Sequence, residues 1–428
     1  MSDKPGYMDL HTKRNTTAVP SVAVILVLLF LIWSAATAGF ASLKATQVAR
    51  SGQPQAADAA VRFSSRNAQN HLIRGVALQR QGDLQGAVAE YSQAVARRPN
   101  DYVLWLNLSH ARELNGDREG AIVCARTAVG LAPHYARSHW QLGNLLVRAG
   151  RADEGFSELR IASASNPGLL PAFINLAWQL SQGNVEYVIA ATQPGNPEAY
   201  KALADFFRKR GQAKEAIDMF ALAGPDAGDA IAQERRSYVA ELLGAKKFHD
   251  AYRLWSIAHP PPDPEVPGLY DPGFERESDL DEPGFGWRAG ETSDAIHLTL
   301  DGTQPHEGRR CLQVLFSGPS DPSQAVISQL VAVTPGKRYQ LRFAVRTREV
   351  VSGGLPAVVV VDPENGQIVS QTETFPQTSD GWRNYTVDFS TAQTSEAIQI
   401  KLQRSTCASP CPAFGRVWLD DFSLRLVD

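Results

Sequence analysis

The sequence predicts a multidomain chain: an apolar N-terminal helix that could span a membrane, an all-α solenoid of repeated helix pairs, and an all-β sandwich. Three observations predict it. No charged residue occurs between Arg14 and Lys44. Small residues, glycines and prolines then recur at a fixed interval of 34 residues. After the run "HPPPDPEVPG" the apolar pattern changes from helical periodicity to alternation. A length of 428 residues exceeds what one core accommodates, which agrees with several domains.

The uncharged stretch "AVPSVAVILVLLFLIWSAATAGFA" has the length of a bilayer-crossing helix, for which ~20 apolar residues suffice. Two readings stay open, a retained anchor and a leader cleaved after Ala36-Thr37-Ala38; the long n-region and long apolar run favour the anchor. Lys4, Lys13 and Arg14 place the tail on the cytoplasmic side. The expectation is a cytoplasmic tail at 1–18, a transmembrane helix at 19–40 and a tether at 41–67. Localisation follows as a single-pass bacterial inner-membrane protein with its bulk periplasmic.

In an oxidising compartment Cys407 and Cys411 of "TCASPCP" are expected to pair and pin their loop. Free thiols are the alternative; a metal or redox role is disfavoured, because the spacing is not CxxC and no histidine lies near. Cys124 and Cys311 sit in apolar periodic surroundings and read as packing. A net charge of −3 gives no drive toward nucleic acid. From Gly268 onward, 14 Lys+Arg stand against 21 Asp+Glu, and this acidity argues against a polyanionic ligand there.

Within 68–259 the recurrent positions are Gly75, Ser109, Gly143 and Ala177, then Gly82, Gly116 and Gly150. Ala87, Ala121 and Gly155 follow, then Ala94, Ala128 and Ala162, and Pro99, Pro133 and Pro167. Small residues let two helices cross closely, Gly ends the first helix and Pro stops the second. The register breaks at "SQGNVEYVIAATQPGNP" and resumes with Gly211, Ala216, Phe220 and Ala223. A weaker copy closes with Ala251, Trp255 and Ala258. This pattern resembles the tetratricopeptide repeat family, and five or six helix pairs are expected.

That resemblance implies a concave groove lined by the first helix of each repeat, suited to a protein partner. The matching residues are Asn107 and His110, then Trp140, Gln141, Asn144 and Arg148, then Asn175 and Trp178, and finally Lys201, Asp205 and Arg208. Asn side chains can hold an extended backbone, and the tryptophans offer apolar anchors. Lys201 is followed by Asp205 where chaperone-binding members carry Asn, so capture of a free C-terminus is not expected.

The prolines at 260–267 end helical structure, because they fix φ and remove backbone donors. Beyond them "RCLQVLF", "AVISQLVAVTPGKRYQLRFAVR", "RNYTVDFS", "AIQIKLQ" and "RVWLDDFSLRL" read as short strands. With "GFE" at the start and "VTPGKRY" and "WLDDFSL" later, residues 268–428 look like the galactose-binding-like jelly rolls of carbohydrate-binding modules. The resemblance implies a structural calcium at Glu275 with Asp420 or Asp421; alternation of Asp420 with Trp418, Phe422 and Leu424 reads as Asp420 pointing inward. Hydrogen bonding of these acids to backbone amides is the alternative.

On one face of "RYQLRFAVR", Tyr339, Leu341, Phe343 and Val345 read as core, leaving Arg338, Gln340, Arg342 and Arg346 outward. Gln399, Lys401 and Gln403 are outward on "IQIKLQ". Together these form the candidate sugar-binding face, with a solvated face as the plainer reading. Trp287 and Trp382 are candidate stacking platforms or packing residues.

No GxSxG, HExxH, phosphate loop or GxGxxG occurs, so no enzyme is expected. The expected function is a membrane-anchored envelope scaffold holding a protein in its groove and a glycan on its sandwich, in polysaccharide assembly or export. A purely structural assembly factor is the alternative, and a lyase or hydrolase the third reading.

Overall fold

The computed structural model describes residues 19–51, 58, 61–62, 65–260, 268–276, 280, 282–290, 294–408 and 411–427. The expected N-terminal tail (1–18) and most of the expected linker (261–267) lie outside the described residues. Compact packing divides the chain into one unit up to Gln193 and a second from Pro194 onward.

Helix α1 (Val19–Ser51) contains the segment expected to cross a membrane. It does not stop at 40 but continues through Lys44 and Arg50, so the tether expected from 41 begins as helix. Among the described residues no helix is long and apolar enough to cross a membrane. This overturns the transmembrane expectation for 19–40 and the single-pass inner-membrane placement with a periplasmic bulk, and leaves the membrane contact expected through that helix without support.

Helix pairs follow in the first unit: α2 (Ala68–Gln81) with α3 (Leu84–Arg97), and α4 (Tyr102–Leu114) with α5 (Arg118–Leu131). Next come α6 (Ala136–Arg148) with α7 (Ala152–Ser165), and α8 (Leu170–Leu180) with α9 (Val185–Thr192). The sequence signals act locally as their chemistry requires. Gly82, which caps α2, has φ +84°, a conformation that a side chain disfavours. Asp83 and Asp117 accept from the amides of Gly86 and Gly120 to start the second helices.

Close crossing explains the small residues. A Cβ on Gly143 would lie 2.7 Å from Leu159 and 2.8 Å from the Gly155 carbonyl oxygen. Gly143→Val is therefore expected to destabilise the first unit by about 3 kcal/mol through overpacking, read as a lowered urea midpoint. His139 bridges Glu158 (2.6 Å) and the Pro133 carbonyl (2.8 Å), and His71 does the same with Glu90 (2.7 Å) and the Ser65 carbonyl (2.8 Å). These buried histidines thus tie each first helix to its partner and to the preceding turn.

The second unit opens with α10 (Pro197–Arg208), α11 (Ala213–Ala223), α12 (Asp229–Gly244) and α13 (Phe248–Trp255). Six helix pairs are thus present among the described residues. Ten strands follow: β1 (Trp287–Ala289), β2 (Ile296–Asp301), β3 (Cys311–Pro319), β4 (Ala325–Ala332) and β5 (Arg338–Ser352). The others are β6 (Pro356–Val361), β7 (Ile368–Gln371), β8 (Arg383–Ser390), β9 (Ala397–Arg404) and β10 (Pro412–Val427). They form two five-stranded sheets, β1-β4-β9-β6-β7 and β2-β3-β10-β5-β8. Both are antiparallel in their paired strands.

Tyr339, Leu341, Phe343 and Val345 all face the sandwich core. Phe343 stacks on Phe422 with centroids 4.9 Å apart. Trp287 is 2% exposed and gives its indole N–H to the Asp271 carbonyl at 3.0 Å, which makes it a packing residue and removes it as a sugar platform. Against this unit's outer surface, α13 packs through Trp255, whose ring lies 5.0 Å from Tyr270 and 5.8 Å from Phe285. Cys407 and Cys411 form a disulfide with Cα atoms 5.9 Å apart. Cys124 and Cys311 are buried free thiols, and burial pushes the Cys311 thiol up to about 12.

Candidate functional site

Strand pairing builds a polar, aromatic face on the outside of the second sheet. Thr299 of β2 pairs with Gln313 of β3, Gln313 with Trp418 of β10, and Trp418 with Arg346 of β5. A second row runs His297, Leu315, Arg416 and Arg348. The groove above them has a volume of about 790 Å³ and is lined by Asp301, Gln304, Gln313, Arg346, Arg416 and Trp418, among others.

Asp301 organises its floor. One oxygen accepts from the Thr303 amide (2.9 Å) and hydroxyl (2.7 Å). The other accepts from the Trp418 indole (2.8 Å) and the Gln313 amide (3.1 Å). The Thr303 hydrogen bonds hold its carboxyl below the ordinary carboxylate range, with the Trp418 bond and the Arg346 charge adding to them. Arg346 lies over both indoles, 4.3 Å from the Trp418 centroid and 5.2 Å from that of Trp382, and donates to Gln304 Oε1 at 2.7 Å. Trp382 in turn gives its N–H to the Gln304 carbonyl at 3.3 Å. Flat rings, a guanidinium plane and fixed amides can stack a sugar ring and bind its hydroxyls.

The predicted sugar-binding face is not one face. Arg338, Gln340, Arg342 and Arg346 lie on β5 of the second sheet, whereas Gln399, Lys401 and Gln403 lie on β9 of the first. The two sets occupy different sheets, because alternation tells which residues point outward but not which sheet a strand joins. Gln340 donates to Asp388 (2.9 Å), Gln399 to Ser328 (3.2 Å) and Gln403 to the Ser323 carbonyl (3.0 Å). Burial lowers the pKa of the Lys401 ammonium. Only Arg346 of the predicted set lines the groove.

The predicted metal ligands do not converge either. Asp420 points to the outer side of the second sheet, not inward with Phe422. The register shifts between Asp420 and Ser423, and Asp421 has φ +51°, so a bulge reverses the alternation expected along "WLDDF". Asp420 is fully buried and accepts from the amides of His306 (2.7 Å), Glu307 (3.2 Å) and Asp421 (2.8 Å). Glu275 accepts from the amides of Arg309 (2.6 Å) and Arg310 (3.0 Å). Both acids thus anchor the loop after β2. One oxygen of Glu275 and both of Asp420 are engaged by backbone amides, which is the hydrogen-bonded alternative for those two acids. Among the described residues the one group of three or more His, Cys, Asp or Glu side chains with ligand atoms within 4.8 Å of one another is His306, Glu307 and Asp421.

In the first unit, Asn107 and His110 of α4 and Trp140, Gln141, Asn144 and Arg148 of α6 line a single groove of about 420 Å³. Gln141 donates to the Leu106 carbonyl at 3.0 Å, joining the two repeats, and Arg148 pairs with Glu113. Asn175 and Trp178 lie on α8, outside the lining of this groove. In the second unit, Lys201 is paired with Asp205 (2.9 Å) and Glu234 (3.5 Å), and Arg208 with Glu241 (3.6 Å). Acids on α10 and α12 thus already neutralise those two cations.

Sequence reasoning missed Asp301, Gln313, Arg348, Arg416 and Trp418. Arg416 and Trp418 share one parity on β10, which was the available signal; the others come from separate strands.

Residues 269–409 match the family model for a carbohydrate binding domain, and residues 46–102 match a tetratricopeptide repeat model. No curated protein matches the chain. Among solved structures, MamA 41-end from Desulfovibrio magneticus RS-1 is 16% identical, over 44% of this chain and 93% of its own, with a TM-score of 0.30. PilF of Pseudomonas aeruginosa is 16% identical, over 47% of this chain and 97% of its own, with a TM-score of 0.32. The chain is a tetratricopeptide-like interaction scaffold joined to a carbohydrate-binding-like domain.

Proposed function

We propose that this protein is a non-catalytic scaffold that binds a glycan on the outer face of its second sheet and a protein segment in its repeat groove. Polysaccharide assembly or export is the setting in which both ligands meet. One observation carries the glycan half: Arg346, held between the Trp418 and Trp382 rings beside the Asp301 hub, lines a groove of about 790 Å³ that is large enough for a sugar chain. Two weak contacts on one chain raise each other's effective concentration, so neither need be tight alone.

Electrophoresis of the full chain through gels cast with soluble polysaccharides tests this. Retardation is expected in at least one gel, weakened ~10-fold or more by Trp382→Ala, because an aromatic stacking contact contributes ~1 kcal/mol beyond the area it buries. Unchanged mobility in every gel would remove the glycan half. A purely structural role for the sandwich has support in the packing of Trp255 on Tyr270 and Phe285, and that same negative result would favour it.

A further inference from the structure

Arg348 of β5 and Arg416 of β10 are paired directly across adjacent strands, and both line the groove. Like charges facing each other across a sheet destabilise it. Arg346, on the same strand as Arg348, adds a third guanidinium. The carboxylate in the groove, Asp301, has its two oxygens engaged by Thr303, Trp418 and Gln313. Among the described residues neither the Arg348 nor the Arg416 guanidinium has an ion pair or hydrogen bond, and the carboxylate of the neighbouring Glu349 pairs with neither. The repulsion is uncompensated among those residues.

From this we infer that the glycan bound here is anionic, carrying the carboxylates of uronic acid residues. The inference rests on the glycan reading above and names its ligand class. A carboxylate between two guanidinium forks receives bidentate, charge-assisted hydrogen bonds and relieves the Arg–Arg repulsion. The surrounding acidity of residues 268–428 does not decide against it. At physiological salt, exposed charges more than ~8 Å away are largely screened, whereas the contact pair is not.

Isothermal titration of the full chain with oligogalacturonate and with the same oligosaccharide after carboxyl reduction reads this directly. The uronate form is expected to bind ~10-fold or more tightly than the reduced form, since charge-assisted bonds are about twice as strong as neutral ones. In the Arg348→Gln/Arg416→Gln variant the preference should vanish while binding of the reduced form persists. Arg416→Gln alone, read the same way, covers a double variant that fails to fold. Equal affinity for the two forms overturns the inference and leaves the glycan reading standing. Dextran sulfate bound as tightly as the uronate also overturns it, in favour of charge alone. Binding of neither oligosaccharide, together with free mobility in every polysaccharide gel, removes the glycan reading and this inference with it.

Discussion

Replacing Asp420 with leucine is expected to destabilise the sandwich by about 3–6 kcal/mol, enough to lower its melting temperature by roughly 10 °C or more. The cause is polar, not steric. Asp420 is fully buried and satisfies three backbone N–H groups, those of His306, Glu307 and Asp421. An apolar side chain leaves all three without an acceptor, and each buried orphan costs ~1–3 kcal/mol. The loop after β2, which carries Gln304 and His306, loses its anchor at the same time.

The same residue sets a pH dependence. Burial holds the Asp420 carboxyl above the ordinary carboxylate range, against the lowering pull of the three amides and His306. The folded state therefore keeps this proton to a higher pH than the unfolded chain does. Between the two pKa values the native form binds more protons, so this group's contribution to stability falls as pH rises and is largest below the ordinary value of about 4. Asp301, with its carboxyl lowered, acts oppositely: its contribution is present above the ordinary value and is lost as pH falls through the folded one. Thermal melts of the native chain and of Asp420→Leu across acid pH should differ in slope in the direction given by Asp420. Identical slopes would show that this carboxyl does not titrate differently on folding.

Arg346→Ala is expected to weaken glycan binding by ~30-fold, about 2 kcal/mol, while leaving the fold intact. The guanidinium spaces the two indoles, 4.3 and 5.2 Å from their centroids, and holds Gln304 at 2.7 Å. Removing it lets Trp382 and Gln304 move, so the binding platform is lost along with one charge. Arg346→Lys should recover little, because a compact ammonium cannot stack in plane and donate as a fork at once. Full recovery by lysine would show that charge alone matters there. Titration calorimetry against the retarding polysaccharide separates the two outcomes.

The helix pairs were legible because a repeat states the same instruction several times. Gly82, Gly116 and Gly150 take positive φ at equivalent turns, and the Gly143 crossing shows why a small residue recurs there. Of the residues expected along the repeat groove, Asn107, His110, Trp140, Gln141, Asn144 and Arg148 line one groove, whereas Asn175, Trp178, Lys201 and Arg208 lie outside its lining. The sandwich core also followed from alternation, with Tyr339, Leu341, Phe343 and Val345 inside.

The split of the sugar face between two sheets and the outward turn of Asp420 arise where alternation stops being informative. Joining β5 with β9 needed sheet order, which is set by long-range pairing rather than by period. Separating Asp420 from Phe422 needed the bulge at Asp421, which inserts one residue and flips every later side chain. Asp301, Gln313, Arg346 and Trp418 come from four strands, so no local window contains the groove.

A crystal structure of the full chain with the oligosaccharide that retards it most tests the central claim most directly. The account predicts a sugar ring stacked over the Trp418–Arg346 floor, with a hydroxyl or carboxylate within about 3.2 Å of Arg346, Arg348 or Arg416. A sugar seated instead on Gln399, Lys401 and Gln403 of the first sheet, with the second-sheet groove left to solvent, would contradict it.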